Sequence, residues 1–311
     1  MLALHDVAEG TTLSEAQVTE AVETAVADTY RRLIEDDPLV RARVDPAGRA
    51  WRLYRVADGV ETEVEVANAD FARQAAAAAR AAVAARLHEA SRSHVLSEAA
   101  SRRGQLIDAV VERVDAEACF VDAAGVPGVL PLEERIPGEH LRVHQHLKVI
   151  VVEGRRRGPD ALLVVSRTHP LLVQRLMEQE VPELQSGQVV IRAIAREPGR
   201  RTKVAVDAPA GDLDPQGACI GPKGVRQRAV TSELGDEQVQ IVAWSSDPAT
   251  YVANTLIPAT VSGVTLDPAT QTAHVTVPAD QLSLAIGRAG ENARLAARLT
   301  GWRIDIRAPE E

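Results

Sequence analysis

A loop of the form Gly-x-x-Gly occurs twice in this chain and each time opens an amphipathic run, which restricts the folds that the chain can adopt. The loops read Gly221-Pro222-Lys223-Gly224 and, 66 positions later, Gly287-Arg288-Ala289-Gly290. One such loop is a weak signal, because any tight turn before a helix can use it. The same offset also relates Ile220 to Ile286, Arg228 to Arg294, and Gly235 to Gly301. Repetition of a loop together with its helix stop indicates two copies of one module.

The residues around both loops predict the same order of elements: helix, strand, strand, loop with helix, and strand. In the first copy these elements cover residues 170–180, 189–196, 202–207, 225–234 and 238–242. In the second copy they cover residues 247–256, 261–266, 272–277, the run after Gly290, and 303–307. The first copy carries extra residues, 209–214, before its loop.

Five apolar segments between residues 104 and 166 have the spacing of strands in a five-stranded OB-type barrel. They are residues 106–114, 119–121, 128–132, 147–152 and 162–166. Barrels of this type bind oligonucleotides on one face. Arg155, Arg156 and Arg157 lie between the last two strands and are candidates for contact with a phosphate backbone, with a solvated hairpin tip as the alternative.

The N-terminal third predicts a small α/β domain followed by a long helix. Apolar residues at helical spacing indicate a helix over residues 13–37. Short alternating runs at 40–44, 51–56 and 62–66, separated by turns at 45–48 and 58–59, indicate an antiparallel sheet. Residues 68–103 are rich in alanine and arginine, which favours one connecting helix, with a possible break near 91–93, over a low-complexity linker.

The charge distribution limits the kinds of partner that each part of the chain can bind. The formal net charge is −9, and residues 1–100 hold 11 Lys and Arg against 17 Asp and Glu. This acidic segment suits a basic protein surface, while basic loops elsewhere can still meet phosphate. A chain of 311 residues is long enough for two to four modules.

The two cysteines, Cys119 and Cys219, are too few for a disulfide framework and predict a reducing, cytoplasmic location. Residues 1–10 lack the pattern of a signal peptide, and the absence of a long apolar run predicts no membrane partner. His140, His144 and His146 lack an acidic or thiol partner at metal-ligand spacing. We therefore expect no metal and no cofactor.

Three runs resemble the NusA family of bacterial transcription elongation, termination and antitermination factors: residues 217–224, residues 247–254, and above all residues 281–306. The resemblance implies a multidomain α+β protein. Its expected parts are an N-terminal α/β domain with a long helix (1–103), an S1-type OB barrel (104–168), and two tandem prokaryotic-type (type II) KH domains (169–244 and 245–311).

The resemblance also implies a function and partners. Residues 1–103 would dock on RNA polymerase, and the barrel and KH domains would hold nascent single-stranded RNA. Such a factor modulates pausing, termination and antitermination without catalysis. Other elongation and antitermination factors are candidate partners, and we expect a monomer.

A KH domain holds about four nucleotides between its Gly-x-x-Gly loop and an apolar groove. The expected RNA contacts are Gly221, Lys223, Gly224, Arg226 and Arg228 in the first copy and Gly287, Arg288, Gly290, Asn292 and Arg294 in the second. Arg200, Arg201 and Lys203 are candidates to extend the RNA path, with a solvated turn as the alternative. Ile220 and Ile286 could line the groove or the core, and the core is the favoured interpretation. Pro222 lacks an N–H for phosphate, so the two loops are expected to contribute unequally.

Two other functions fit parts of the sequence. The RNA-binding modules could serve an RNA-processing enzyme, but residues 1–100 are short and lack a compact carboxylate cluster for metal-assisted phosphoryl chemistry. A general RNA chaperone is the other alternative. Aromatic residues make up only 3% of the chain, and Phe120 is the one aromatic residue of the predicted barrel, so we expect modest, salt-sensitive RNA affinity.

Overall fold

In a computed structural model the described residues are 13–45, 50–66, 68–235 and 237–309. The expectations for residues 1–10 and for turn residues 46–48 lie outside these ranges. The chain divides into two compact units, residues 1–101 with 154–163 and residues 102–153 with 164–311. Among the described residues, no helix combines the length and apolar character needed to cross a membrane.

The first unit begins with helix α1 (Glu15–Leu33), which a capping box starts. The Ser14 hydroxyl accepts a hydrogen bond from the Gln17 N–H, and the Gln17 side chain accepts one from the Ser14 N–H at 2.9 Å. These bonds satisfy donors that a helix N-terminus otherwise leaves open. The helix ends four residues earlier than its periodicity predicts.

Helix α1 packs on a meander of strands β1 (Val40–Val44), β2 (Trp51–Ala57) and β3 (Val60–Val64). Both pairings are antiparallel, as predicted, although β3 starts and ends two residues before the expected strand. Phe71 inserts between the rings of Tyr30 and Trp51 in edge-to-face geometry. This aromatic contact ties the start of the next helix to the sheet.

Helix α2 (Ala69–Arg102) runs without a break over 34 residues, so the possible break near residue 91 is wrong. Its first half packs on the sheet, and its second half packs on residues 154–163, the hairpin that belongs to the same unit. A Cβ at Gly154 would lie 2.9 Å from the Ala99 Cβ, so only glycine permits this approach. His88 Nδ1 lies 2.8 Å from Asp160 Oδ1 across the same contact.

The predicted OB-type barrel is confirmed as a closed five-stranded barrel with the strand order β4-β5-β6-β8-β7. Its strands are β4 (Leu106–Val114), β5 (Ala118–Ala123), β6 (Pro127–Pro131), β7 (His146–Arg157) and β8 (Asp160–Ser166). β7 is six residues longer than predicted, and five of these residues extend it beyond its predicted end. Arg155, Arg156 and Arg157 therefore lie in a strand, and the turn itself consists of Gly158 and Pro159.

The first repeat follows the barrel and shares an apolar core with it. Its elements are α3 (Pro170–Glu180), the short α4 (Pro182–Gln185), β9 (Val190–Glu197), β10 (Arg201–Asp207), α5 (Pro215–Ile220), α6 (Val225–Glu233) and β11 (Gln238–Ala243). β10 is the central strand, antiparallel to β9 and parallel to β11. The buried Arg167 joins barrel and repeat, because its guanidinium donates to Glu139 and to both the side chain and the carbonyl of Glu233.

The second repeat has the same topology, as the 66-residue offset predicts. Its elements are α7 (Pro248–Thr255), β12 (Gly263–Asp267), β13 (Thr272–Thr276), α8 (Leu282–Ile286), α9 (Glu291–Thr300) and β14 (Arg303–Arg307). β13 is central, antiparallel to β12 and parallel to β14. The short helices α5 and α8 before the two loops were not predicted. Their six and five residues carry too little periodicity for a sequence pattern to reveal them.

Candidate nucleic-acid interface

The two Gly-x-x-Gly loops have nearly identical backbone geometry. The first glycine has φ 73° and ψ 171° at Gly221 and φ 76° and ψ 171° at Gly287, a region that only glycine adopts readily. The last glycine, Gly224 or Gly290, is left-handed and precedes the following helix. The repeated sequence thus specifies a repeated turn that brings the main chain to the surface before a helix N-terminus.

The third residue of each loop is left-handed without being glycine, with φ 53° at Lys223 and φ 51° at Ala289. In both repeats an arginine five residues further on donates to the carbonyl of this residue. Arg228 donates to the Lys223 carbonyl, and Arg294 Nη1 lies 3.3 Å from the Ala289 carbonyl oxygen. These bonds stabilise a conformation that otherwise costs about 1–3 kcal/mol.

Arg226 and Asn292 occupy matching positions, and both lie beneath their loops. Arg226 Nη1 donates to the Ala218 carbonyl at 2.6 Å and to Glu183 Oε2 at 2.8 Å. Asn292 is fully buried and donates to the carbonyls of Ala285 and Leu256. The prediction that Asn292 contacts RNA is therefore wrong, since its amide has no access to solvent. Arg226 is partly exposed but is engaged in the same structural role.

The side chains that face solvent at the loops are basic and apolar. Lys223 and Arg288 are exposed. Beside them, Val225 is 53% exposed, Leu284 43% and Ile286 38%. The preference for Ile286 as a core residue is wrong, whereas Ile220 packs against the core of the first repeat. An apolar surface next to a basic loop can hold an unstacked base while the loop holds its phosphate.

The position of each loop at a helix N-terminus favours a negatively charged group near the loop. α6 and α9 extend nine and ten residues from the loops and direct their N-terminal partial positive charge toward them. Gly224 and Gly290 use their N–H groups within the loop, donating to the Gly221 and Gly287 carbonyls. The loops differ at their second residue, because Arg288 has a backbone N–H and Pro222 has none.

The two repeats contact each other through an interface with an apolar centre. Leu295 and Leu299 of α9, together with Tyr251 of α7, pack on the sheet of the first repeat. Trp244 is half-buried at the edge of this cluster, with Arg192 4.8 Å above its ring, and Trp302 packs against the core of the second repeat. Both tryptophans are half-buried and take part in apolar packing.

Ion pairs cross the same interface in both directions. Arg294 of the second repeat binds Glu197 of the first through two bonds of 2.6 and 2.9 Å. The hydrogen bond from Arg294 holds the pKa of Glu197 below its usual range. In the opposite direction, Arg200 and Arg201 approach Glu291 at 3.3 and 3.6 Å. Arg294, which we expected to contact RNA, is thus committed to a carboxylate.

Lys203 is fully buried at this interface, so the expectation that it extends an exposed RNA path is wrong. Its Nζ donates to Gln240 Oε1 at 2.8 Å and to the Ile257 carbonyl at 3.3 Å. Burial, together with a smaller effect of the nearby Arg201, lowers the pKa of Lys203 from 10.5 to about 7. The charged form of an amine is disfavoured where water is excluded.

On the barrel, Phe120 is half-buried and the Arg113 guanidinium lies 4.2 Å from its ring centroid. Arg155, Arg156 and Arg157 are exposed on β7. The described residues contain no group of three His, Cys, Asp or Glu that could hold a metal ion. Both cysteines are buried, and burial raises the pKa of Cys219 to about 12, which disfavours a reactive thiolate.

Comparison with known proteins identifies the two repeats. A NusA-like first KH domain matches residues 167–244, and a NusA-like second KH domain matches residues 248–311. The transcription termination/antitermination protein NusA of Bacillus subtilis is 37% identical over 324 residues, which cover 95% of this chain and 87% of that protein. The chain belongs to the NusA family. The NusA of Mycobacterium tuberculosis is 38% identical over 99% of this chain and 92% of that protein. The NusA of Thermus thermophilus is 43% identical over 70% of this chain and 56% of that protein.

NusA membership confirms the multidomain α+β fold and the tandem of KH domains. It places both Gly-x-x-Gly loops inside the matched KH segments. Sequence reasoning missed three charged residues that surround the second loop: Glu197, Glu291 and Arg298. Their partners lie in the other KH domain, so sequence spacing gives no signal for them.

Proposed function

We propose that this NusA-family chain is a non-catalytic transcription elongation factor that binds RNA polymerase and nascent single-stranded RNA and modulates pausing, termination and antitermination. The main support for the proposal is that the chain is 37–38% identical to NusA proteins over nearly their whole length. The paired basic loops of the KH domains supply a chemical basis for the RNA contact.

In this proposal the domains divide the work. Residues 1–103 dock on RNA polymerase, since their acidic character suits a basic protein surface better than RNA. The barrel (104–168) and the KH domains (169–244 and 245–311) hold RNA. The factor acts as a monomer in the cytoplasm, with other elongation and antitermination factors as further candidate partners.

Phosphate contacts are assigned to the side chains of the exposed Lys223, Arg228 and Arg288. Gly221, Gly224, Gly287 and Gly290 have no side chain, which lets the RNA backbone lie close to the main chain of each loop. Among the described residues Arg228 has no acidic partner, unlike the matching Arg294. Arg226, Asn292 and Arg294 position the loops. On the barrel, Phe120 offers a ring for stacking, and Arg155, Arg156 and Arg157 offer positive charge.

Transcription by purified bacterial RNA polymerase tests the proposal on a template with a hairpin pause site and an intrinsic terminator. We expect the chain to change the pause lifetime and the fraction of transcripts that terminate. Unchanged values at saturating concentrations of the chain would contradict the proposed function.

Two further readouts separate the alternatives. A tagged chain should retain purified RNA polymerase on a column, whereas a general RNA chaperone would remodel RNA without retaining the polymerase. Labelled RNA should remain full-length during incubation with the chain. Shortened RNA would indicate an RNA-processing enzyme instead.

A further inference from the structure

The two KH domains differ at the first position of the helix that follows each loop. In the first domain this residue is Val225, which is uncharged and exposed. In the second it is Glu291, which is only 7% exposed and comes directly after Gly290. A carboxylate at a helix N-terminus stabilises the helix dipole, but it repels a phosphate that approaches the same end.

The opposing charges for Glu291 come from the first KH domain. Arg200 and Arg201 belong to the turn and strand β10 of that domain, and their Nε atoms lie 3.3 and 3.6 Å from the two carboxylate oxygens. Arg201 is held in place by a 3.0 Å bond from its Nη2 to Gln238 Oε1. Arg200 remains 53% exposed. Two guanidinium groups against one carboxylate leave net positive charge beside the second loop.

A separate set of contacts fixes this geometry. Arg294 and Arg298 of the second domain pair with Glu197 of the first, and Leu295 lies fully buried between the domains. Arg200 and Arg201 are therefore not the sole link between the domains. Their position beside Glu291 is set by neighbouring contacts, which leaves their charges available for an electrostatic role.

We propose that the first KH domain completes the phosphate site of the second loop, with Arg200 and Arg201 neutralising Glu291 so that the RNA backbone can approach Gly287–Gly290. The inference rests on the proposed RNA-binding function. It makes the second loop dependent on its neighbour, whereas the first loop, followed by Val225, carries its site within one domain.

A double-mutant cycle on the full chain tests this inference with a fluorescein-labelled oligouridylate at physiological salt. Replacing Arg200 and Arg201 by Gln should weaken binding about tenfold, because Glu291 is left unopposed next to the phosphate path. In a chain that also carries Glu291→Gln, the same two replacements should cost about twofold or less. Glu291→Gln alone should preserve or increase affinity.

Equal losses with and without Glu291→Gln would overturn the inference, because they would show that the two arginines act on RNA independently of Glu291. Glu197→Gln is the control for domain packing, since it removes the ion pairs of Arg294 and Arg298 but keeps Arg200 and Arg201. Loss of affinity in that variant equal to the loss in the arginine variant would also overturn the inference, by assigning the effect to domain packing. Thermal unfolding of each variant monitors the fold.

The unmodified chain separates this inference from the proposed function. Absence of any oligouridylate binding by the unmodified chain at low salt would contradict the proposed RNA-binding function, and the inference with it. Binding by the unmodified chain with additive losses in the cycle would contradict the inference alone.

Discussion

The two KH domains share one topology, but the outer faces of their sheets differ in polarity. The face of the first domain is largely apolar and carries Ala193, Ala195, Lys203, Ala205, Gln240 and Val242. The matching face of the second domain carries Thr265, Asp267, Thr272, His274, Asp305 and Arg307. One cross-strand pair shows the contrast directly, because Lys203 beside Gln240 is fully buried while His274 beside Asp305 is exposed.

This difference in polarity determines which face of the first domain the second domain covers. Helix α9 of the second domain covers the apolar face of the first, which places the second loop close to residues of its neighbour. The second domain's polar face has the composition of a solvated sheet surface. The same fold therefore gives one loop that stands alone and one loop that depends on the pairing.

The largest contrast between the two domains is expected when the packing of α9 is disrupted. Leu295 is fully buried between the domains, whereas Ala229, its counterpart on α6, is exposed. Leu295→Ala should lower the free energy of unfolding of this unit by about 3 kcal/mol. Ala229→Leu should change it by less than about 0.5 kcal/mol. Urea unfolding measures both, and similar small values for the two variants would contradict the buried interface.

The next largest contrast is expected in the stability cost of alanine at Gly221 and at Gly287, the first glycines of the two loops. A Cβ at Gly287 would lie 2.9 Å from the backbone nitrogen of Asn292, whereas at Gly221 it would meet the flexible side chain of Arg226. Both alanine variants incur backbone strain of about 1–3 kcal/mol, and Gly287→Ala should cost about 2 kcal/mol more. Denaturant titration of the two variants gives the difference. Equal costs would mean that the Gly287 loop shifts as readily as its counterpart.

Lys203 should make stability depend on pH. Its pKa is lowered from 10.5 to about 7 in the folded chain, so the unfolded state binds more protons between these values. The free energy of unfolding should therefore rise as pH increases from 7 to 8.5, by about 1 kcal/mol per pH unit relative to Lys203→Met. Parallel pH profiles for the two chains would contradict the lowered pKa of Lys203 in the folded chain.

The smallest effect concerns the matching arginines behind the loops. Arg294 is paired with Glu197, whereas Arg228 has no acidic partner among the described residues. Arg228→Gln should lower RNA affinity about threefold, and Arg294→Gln should lower it by less than about twofold. Fluorescence anisotropy with labelled oligouridylate measures the RNA affinity of both variants. A larger loss for Arg294→Gln would reverse the assigned roles.

The sequence alone was sufficient to predict the two loops, the barrel and the two KH sheets. The 66-residue offset identified both loops, and the alternating apolar runs identified the barrel and both KH sheets. The burial of Asn292 was harder to predict, because it depends on carbonyls that the unpredicted helix α8 brings together. The available sequence signal was that the 66-residue offset aligns Asn292 with Arg226, which holds its own loop in place.

Contacts between distant residues account for most of the remaining differences. Glu197 and Arg294 are 97 positions apart, and no local pattern pairs them. Lys203 looked like an exposed strand residue because polar residues usually mark a solvated face. The alanines that share its face, Ala193, Ala195 and Ala205, were the sequence signal that this face is covered.

Charge reversal at the two loops together tests whether the pair of Gly-x-x-Gly loops binds RNA. Lys223→Asp with Arg288→Asp should reduce affinity for labelled single-stranded RNA by at least about tenfold. The control, Arg80→Glu with Arg86→Glu on the exposed face of α2, gives the same net charge and should leave affinity within about twofold. Unchanged affinity in the loop variant, or an equal loss in the control, would contradict RNA binding by this pair of loops.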